Sequence, residues 1–259
     1  MNKQLEQIIS EYKRRTEQLC CVVDVKEDIP HILDNKIGGM PYIPKGETYP
    51  LDSDGNPMAL ILQIACKDIE CLPNIPFNGI IEIFAKSKLE WPWEYTILYF
   101  PEGMEYRTDL PELNLKDFIC TRGFKIDLTQ GIAHMPLYDY RSDGILSEIT
   151  KQITGKEINS WFDLNTLFSS RNHDDEATFL FAESLTTNRI TIGGYADFTQ
   201  EDIRPREAKG MDICLFKLDS CADLKKFNIG DAGILSVLIS ETDLINRAFN
   251  KAVLTWDCC

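Results

Sequence analysis

Six polar residues stand where their type and setting could do chemistry. Gln200-Glu201-Asp202-Ile203-Arg204 places two carboxylates beside a guanidinium in a loop, a combination able to hold a metal ion or a polar ligand. Asp231 lies between Gly230 and Gly233 just before an apolar run, where a strand mouth would present a general base or a ligand group. Gln63 interrupts the apolar run Leu60-Ile61-Leu62-Gln63-Ile64, and Asp219 closes the similar run Cys214-Leu215-Phe216-Lys217-Leu218. A buried amide without partners costs roughly 1–3 kcal/mol, so Gln63 must either tie segments together or line a pocket. Gln63, Gln200, Asp202, Arg204, Asp219 and Asp231 are therefore the candidate ligand-binding residues. Each also has a structural account, and that account is preferred. Asp202 can cap a turn and pair with Arg204, Asp231 suits a Gly-Asp-Ala-Gly turn, and Asp219 can be an N-cap.

Nothing in the chain assigns a catalytic residue. The phosphate cradles GxGxxG and GxxxxGK[ST] are absent, and no Ser or Cys sits in a GxSxG setting. His31 and His134 stand alone. His173-Asp174-Asp175-Glu176 has metal-ligand residue types, but adjacent positions seldom converge on one ion, so a solvated loop is expected. The nine cysteines are odd in number, include no CxxC, and contain the adjacent pairs Cys20-Cys21 and Cys258-Cys259. Reduced thiols are expected, with Cys66, Cys71, Cys214 and Cys221 on or beside apolar runs. No cofactor and no metal follow from these residues.

The net charge of −14 argues against a nucleic acid or an anionic membrane as direct partner, since both select a basic face. Lys13-Arg14-Arg15 is the one basic knot and reads as a solvated helix surface. A basic protein partner would instead be attracted and steered. Trp91-Pro92-Trp93, with Tyr95, Tyr99 and Phe100 nearby, has a composition found at interfaces and equally in cores. No apolar run approaches the roughly 20 residues of a membrane helix, and the N-terminus shows no apolar signal region. A cytoplasmic location is the expectation.

The elements that must carry these residues follow from periodicity. Leu5, Ile8, Ile9, Tyr12 and Leu19 predict an amphipathic helix over residues 3–19, followed by a strand at 21–25. Strands are predicted at about 58–65, 79–85 and 94–100, with further strand in 123–140. A helix is predicted from Asp143 to Ile153, capped by Asp143 and ended by Gly155. Thr178 to Ala182 and Arg189 to Ile192 look extended. Strands at 211–218 and 233–239 flank a short helix at 220–226. Ser240 starts another helix, and 252–256 closes the chain as a strand.

Landmarks recur along this path. Ile37-Gly38-Gly39-Met40 matches Ile192-Gly193-Gly194-Tyr195, the Gln63 run matches the Lys217 run, and Gly79-Ile80-Ile81 matches Gly233-Ile234-Leu235. From the second Gly of each pair to the later Gly is about 40 residues in both copies, as in a duplicated unit. Neither copy can bury much apolar surface alone. The expectation is one α+β, β-rich domain over 1–259, built from two similar internal repeats (about 20–135 and 178–259). A helical or irregular connection lies between them, and an amphipathic helix comes first.

With those pieces placed, the chain resembles the YwqG-like proteins, a bacterial family known mainly as a domain of unknown function. The likeness rests on Lys36-Ile37-Gly38-Gly39-Met40-Pro41-Tyr42-Ile43-Pro44, Leu62-Gln63-Ile64, Ile192-Gly193-Gly194-Tyr195, Thr199-Gln200-Glu201-Asp202-Ile203-Arg204, Leu218-Asp219-Ser220 and Gly230-Asp231-Ala232-Gly233. Asp243-Leu244 and Phe249 to Asp257 fit the closing segment. The chain departs at Ala65, Lys217 and Asn228-Ile229, where family members usually carry an acid, often a Gln, and often an aromatic. The resemblance implies a bacterial, cytosolic, duplicated β-rich fold, with a link to toxin–immunity gene clusters and no established activity. Two functions are expected on these grounds. The first is a non-catalytic, immunity-type interaction factor; the second is a small-molecule-binding protein or hydrolase with a site between the repeats.

Overall fold

The computed structural model describes residues 2–73, 75, 77–88, 94–168, 176–185 and 189–258. The Trp91-Pro92-Trp93 cluster and the His173-Asp174-Asp175 run lie outside the described residues.

Helix α1 (Lys3–Arg15) is begun by Asn2, whose side chain accepts from Gln4 N at 2.9 Å. It ends on three basic residues, which suit the negative end of its dipole. Its buried face is Leu5, Ile8, Ile9 and Tyr12. The helix stops short of residue 19 because Gln18 already pairs with Ala133 in the sheet. Thr16 Oγ1 donates back to Tyr12 O at 2.8 Å and closes the last turn.

Ten strands form one sheet: β1 (Gln18–Val25), β2 (Lys36–Ile37), β3 (Ala59–Ala65), β4 (Ile80–Ala85), β5 (Tyr95–Phe100), β6 (Phe124–Ala133), β7 (Ile190–Gly193), β8 (Ile213–Asp219), β9 (Ile234–Ile239) and β10 (Val253–Asp257). Their order is β10-β9-β8-β7-β1-β6-β2-β3-β4-β5, with every pairing antiparallel. The two ends follow matching registers outward from the central β1–β6 pair. Ala59↔Ala85, Gln63↔Glu82 and Ala65↔Ile80 at one end correspond to Ile213↔Ile239, Lys217↔Ser236 and Asp219↔Ile234 at the other. Each also carries one bulge at the same step, between Leu60 and Leu62 and between Cys214 and Phe216. A bulge bends its strand and strengthens the local twist. The sheet curls until its ends meet: Tyr95 OH donates to Ala252 O at 3.3 Å, and Tyr99 stacks on Phe249.

The main core lies inside this curl, with Leu62, Ile64, Ile81 and Ile83 from one end and Phe216, Leu218, Leu235 and Val237 from the other. A second core lies under α1, α2 (Ser142–Thr154), α3 (Asp163–Phe168) and α4 (Glu176–Leu185), where Tyr12 meets Phe181 edge-on at 5.3 Å. A short α5 (Glu241–Ile245) is capped by Ser240, which accepts from Asp243 N.

Three expectations need correction. Thr178 to Ala182 is helical, because Ala177, Thr178, Phe181 and Leu185 are buried at helical spacing rather than alternately. The short helix at 220–226 is only a 3-10 turn, Ser220–Ala222. Asp143 does not cap α2, which starts one residue earlier; its carboxylate accepts from Trp161 N at 2.8 Å instead.

Paired glycines leave β2 and β7 with positive φ: Gly38 and Gly39, then Gly193 and Gly194. A Cβ on Gly38 would lie 2.5 Å from Cys120 Sγ and 2.9 Å from Arg122 O. Gly38→Ala is expected to lose roughly 2–4 kcal/mol in urea unfolding, because strain and overpacking add. Gly46→Ala, at positive φ but in open space, should lose about 1 kcal/mol or less. Equal losses at the two positions would remove close packing as the reason for Gly38.

Candidate functional site

On the outer face of β8 and β9 a cavity of about 210 Å³ opens between sheet and helices. Strand alternation builds its floor. Phe216, Leu218 and Leu235 point into the curl, so Lys217, Asp219 and Ile234 point outward. The segment after Gly193-Gly194 crosses this face and adds Asp197 and Phe198, while the helical layer supplies Leu137, Tyr138, Trp161 and Leu185 as an apolar wall. His134 and Arg189 complete the polar lining.

Most of these polar groups are held. Arg189 Nη1 donates to Asp219 Oδ2 at 2.5 Å, and Asp219 Oδ1 accepts from Cys221 N at 2.8 Å. His134 Nδ1 lies 3.0 Å from Lys13 O. A carbonyl can only accept, so Nδ1 carries the hydrogen and Nε2 is left as an acceptor. Burial and the nearby Lys13 charge hold this imidazole below its ordinary pKa, hence neutral. Asp197 Oδ1 accepts from Phe198 N at 3.0 Å. Burial pushes its carboxyl above the usual range, against the pull of Lys217. Lys217 differs from all of these, for its ammonium makes no hydrogen bond or ion pair among the described residues. Among the described residues the lining holds no Ser, Thr or Cys. The arrangement offers an ammonium without a hydrogen bond or ion pair among the described residues, a carboxyl raised by burial, an imidazole acceptor and an aromatic wall.

The matching place at the other end of the sheet is filled. Gln63 and Glu82 occupy the positions of Lys217 and Ser236. Tyr42 N donates to Gln63 Oε1 at 2.8 Å and to Glu82 Oε1 at 2.7 Å. Gln63 Nε2 donates to Ile32 O and Asp34 O, and Lys36 Nζ donates to His31 O, Ile32 O and Met40 O. Three carbonyls for three N–H donors leave Lys36 no capacity for a ligand. Burial nevertheless lowers its pKa to about 8, against the attraction of Glu82 and Asp34. Residues 35–258, which hold both the knot and the cavity, match the model of a family described as Domain of unknown function (DUF1963). The chain belongs to that family. No curated protein matches it.

In this DUF1963 chain the six residues singled out by sequence do not share one cavity. Gln63 is in the sealed knot. Asp219 reaches the cavity and caps the 3-10 turn. Asp231 is exposed in a turn between Gly230 and Ala232, both at positive φ. Gln200 is exposed and donates from Nε2 to Cys258 O at 2.7 Å. Asp202 and Arg204 do come together, in a buried ionic network. Arg204 Nε donates to Asp202 Oδ1 at 2.9 Å, and its Nη2 reaches Asp202 Oδ2 at 2.6 Å and Asp139 Oδ2 at 2.7 Å. Arg141 also pairs with Asp139. Burial would raise the Asp139 carboxyl, but the Arg141 and Arg204 guanidiniums outweigh it and hold it below the usual range. Among the described residues, no cluster of three or more His, Cys, Asp or Glu could hold a metal.

Sequence reasoning missed Asp197, His134, Arg189 and Lys217 as lining residues. The signal for Lys217 was present, since the internal match sets it against Gln63; nothing in the sequence sets His134 or Arg189 against the same face.

Two outcomes follow from these charges. Burial raises the Glu82 carboxyl to about 8, and among the described residues no partner reaches its Oε2. A carboxyl raised on folding loses stability as pH climbs between the unfolded and folded values. Wild-type stability from Glu82 should therefore fall from about pH 4.5 to about pH 8, and Glu82→Gln should flatten that slope in urea melts across the window. Arg204→Ala should cost roughly 3–5 kcal/mol near neutral pH by leaving the buried Asp202 carboxylate without its guanidinium and Asp139 with Arg141 alone. Because the Asp139 carboxyl is depressed, the deficit should shrink as pH falls through its folded value, below about 3.8. A pH-independent deficit would refute the ionic account.

Proposed function

We propose that the protein binds a small organic anion in the cavity floored by Lys217 and Asp219, with the anion on the Lys217 ammonium and an apolar or planar portion against Trp161, Tyr138 and Leu137. The observation that carries this reading is the unpaired ammonium of Lys217 on the floor of a half-apolar concavity. Lys217 is half-buried on that floor, whereas the fully buried Lys36 beside Gln63 at the other end of the sheet meets three carbonyls. Pockets that combine an apolar lining with a few placed polar groups are the usual form of small-molecule sites.

An internal duplication accounts for the arrangement, and the matching registers and bulges support it. On this reading each copy offers the same outer-face site; one has been closed by Lys36, Gln63 and Glu82, and the other has been kept open. The motif Lys36 to Pro44 and its companions support a YwqG-like assignment within the family. A second reading, an acidic factor that binds a basic, immunity-type protein partner, is favoured by the net charge of −14. The six-residue pocket expected from sequence is replaced by the cavity above, which retains only Asp219 of that set.

Thermal unfolding with millimolar benzoate tests the anion site. Benzoate should raise the midpoint by a few degrees, as mass action requires of a ligand that binds only the folded chain. Lys217→Met should abolish the rise, whereas Glu82→Gln should keep it. No rise with the wild-type chain, or an undiminished rise with Lys217→Met, would sink the proposal. The partner reading is separate: its capture from extract should weaken steeply between low and high salt.

A further inference from the structure

The geometry points to Cys21 and Cys71 as a site of reversible oxidative modification, at which a peroxide converts the two thiols to a disulfide. The sulfurs are 3.1 Å apart, although the residues are 50 positions apart in the chain. A disulfide bond is about 2.0 Å, so the sulfurs need approach by only about 1 Å. One partner is fixed and the other has room to give. Cys21 is buried on β1, opposite Gln130 and Ile192 in the two neighbouring strands. Cys71 is half-buried in the irregular segment after the 3-10 turn Cys66–Ile69.

The chemistry divides between them accordingly. The more exposed Cys71, as thiolate, attacks one peroxide oxygen; the O–O bond breaks, hydroxide leaves and takes a proton to become water, and Cys71 becomes a sulfenic acid. Cys21 sulfur then attacks the Cys71 sulfur, the S–O bond breaks, and the oxygen departs as water with the Cys21 proton. Two thiols lose two electrons and one peroxide is reduced to two waters. Burial and the Cys71 neighbour push the Cys21 thiol well above its ordinary pKa, which leaves the first attack to Cys71, while the 3.1 Å approach of the two sulfurs places Cys21 for the second. Cys66, Cys120 and Cys214 are also buried, with thiols pushed up to about 12, and are poor competitors for the oxidant.

The bond would have a consequence next door. Leu72 packs against Gly193, where an added Cβ would lie 2.9 Å from its Cδ2. With Leu19, Gly194 and Leu215 it lines a second cavity of about 240 Å³. Joining Cys71 to β1 pins Leu72 over that cavity and cross-links the segment to the middle of the sheet.

The test treats the purified full chain with hydrogen peroxide, alkylates it in denaturant, and maps peptides without reduction. The expected result is a linked peptide containing Cys21 and Cys71, released by dithiothreitol, with a thermal midpoint higher by about 5–10 °C in the oxidised chain. Cys71→Ser should lose both the linked peptide and the shift, whereas Cys258→Ser should keep them. Recovery of Cys21 and Cys71 as alkylated thiols overturns the proposal. So does over-oxidation of Cys71 without a cross-link, or a link from Cys71 to Cys20 in place of Cys21. The wild-type peptide map decides the matter even if a variant folds poorly.

Discussion

The architecture turns on how closely the backbone must pass itself where it leaves β2 and β7. At Gly38-Gly39 the chain runs against the backbone of Arg122 and Gly123, and at Gly193-Gly194 against Leu72, Ala133 and Cys20. All four glycines have positive φ, so a side chain there meets both backbone strain and a steric barrier. The turn they allow sends the next segment across the outer face of the sheet. It thereby brings Tyr42 over Gln63 and Glu82 at one end, and Asp197 over Lys217 and Ser236 at the other.

From that shared geometry the two ends diverge electrostatically. At the first, the crossing segment presents a backbone N–H to two side-chain oxygens, and the nearby loop offers carbonyls to Lys36 and Gln63. Charge and amide are nearly all satisfied within the chain, so the place is sealed. At the second, the crossing segment presents a carbonyl, which Ser236 Oγ reaches at 3.4 Å, and Lys217 makes no hydrogen bond or ion pair among the described residues, although it attracts the Asp197 carboxyl. The remaining space is walled by the helical layer.

The helical layer is held in register with this cavity by the Arg204 network. Asp139 lies just before α2 and Asp202 in the loop after β7, and one guanidinium binds both carboxylates. Tyr140 N adds a bond to Asp202 at 3.0 Å, and Arg204 packs over the Tyr140 and Phe198 rings. Phe198 also lines the cavity, so the ionic network and the cavity wall share a residue. A cluster that invites a metal-binding reading in sequence thus serves as the joint between two layers.

Sequence by itself determined most of the strands and the turn at Asp231. Alternation, paired glycines and the recurring apolar runs are local signals, and they placed β3, β4, β8 and β9 within a residue or two. Sequence also marked Gln63 as a buried amide needing partners. Only the tertiary structure decided that α4 is a helix, since its burial depends on α1 and the helical core beside it. Only it decided which outward-facing residues would be covered and which left open. Satisfaction of a polar group depends on carbonyls and side chains that arrive from distant segments, such as Ile32 for Gln63 or Lys13 for His134. The spacing of residues along the chain does not encode those arrivals.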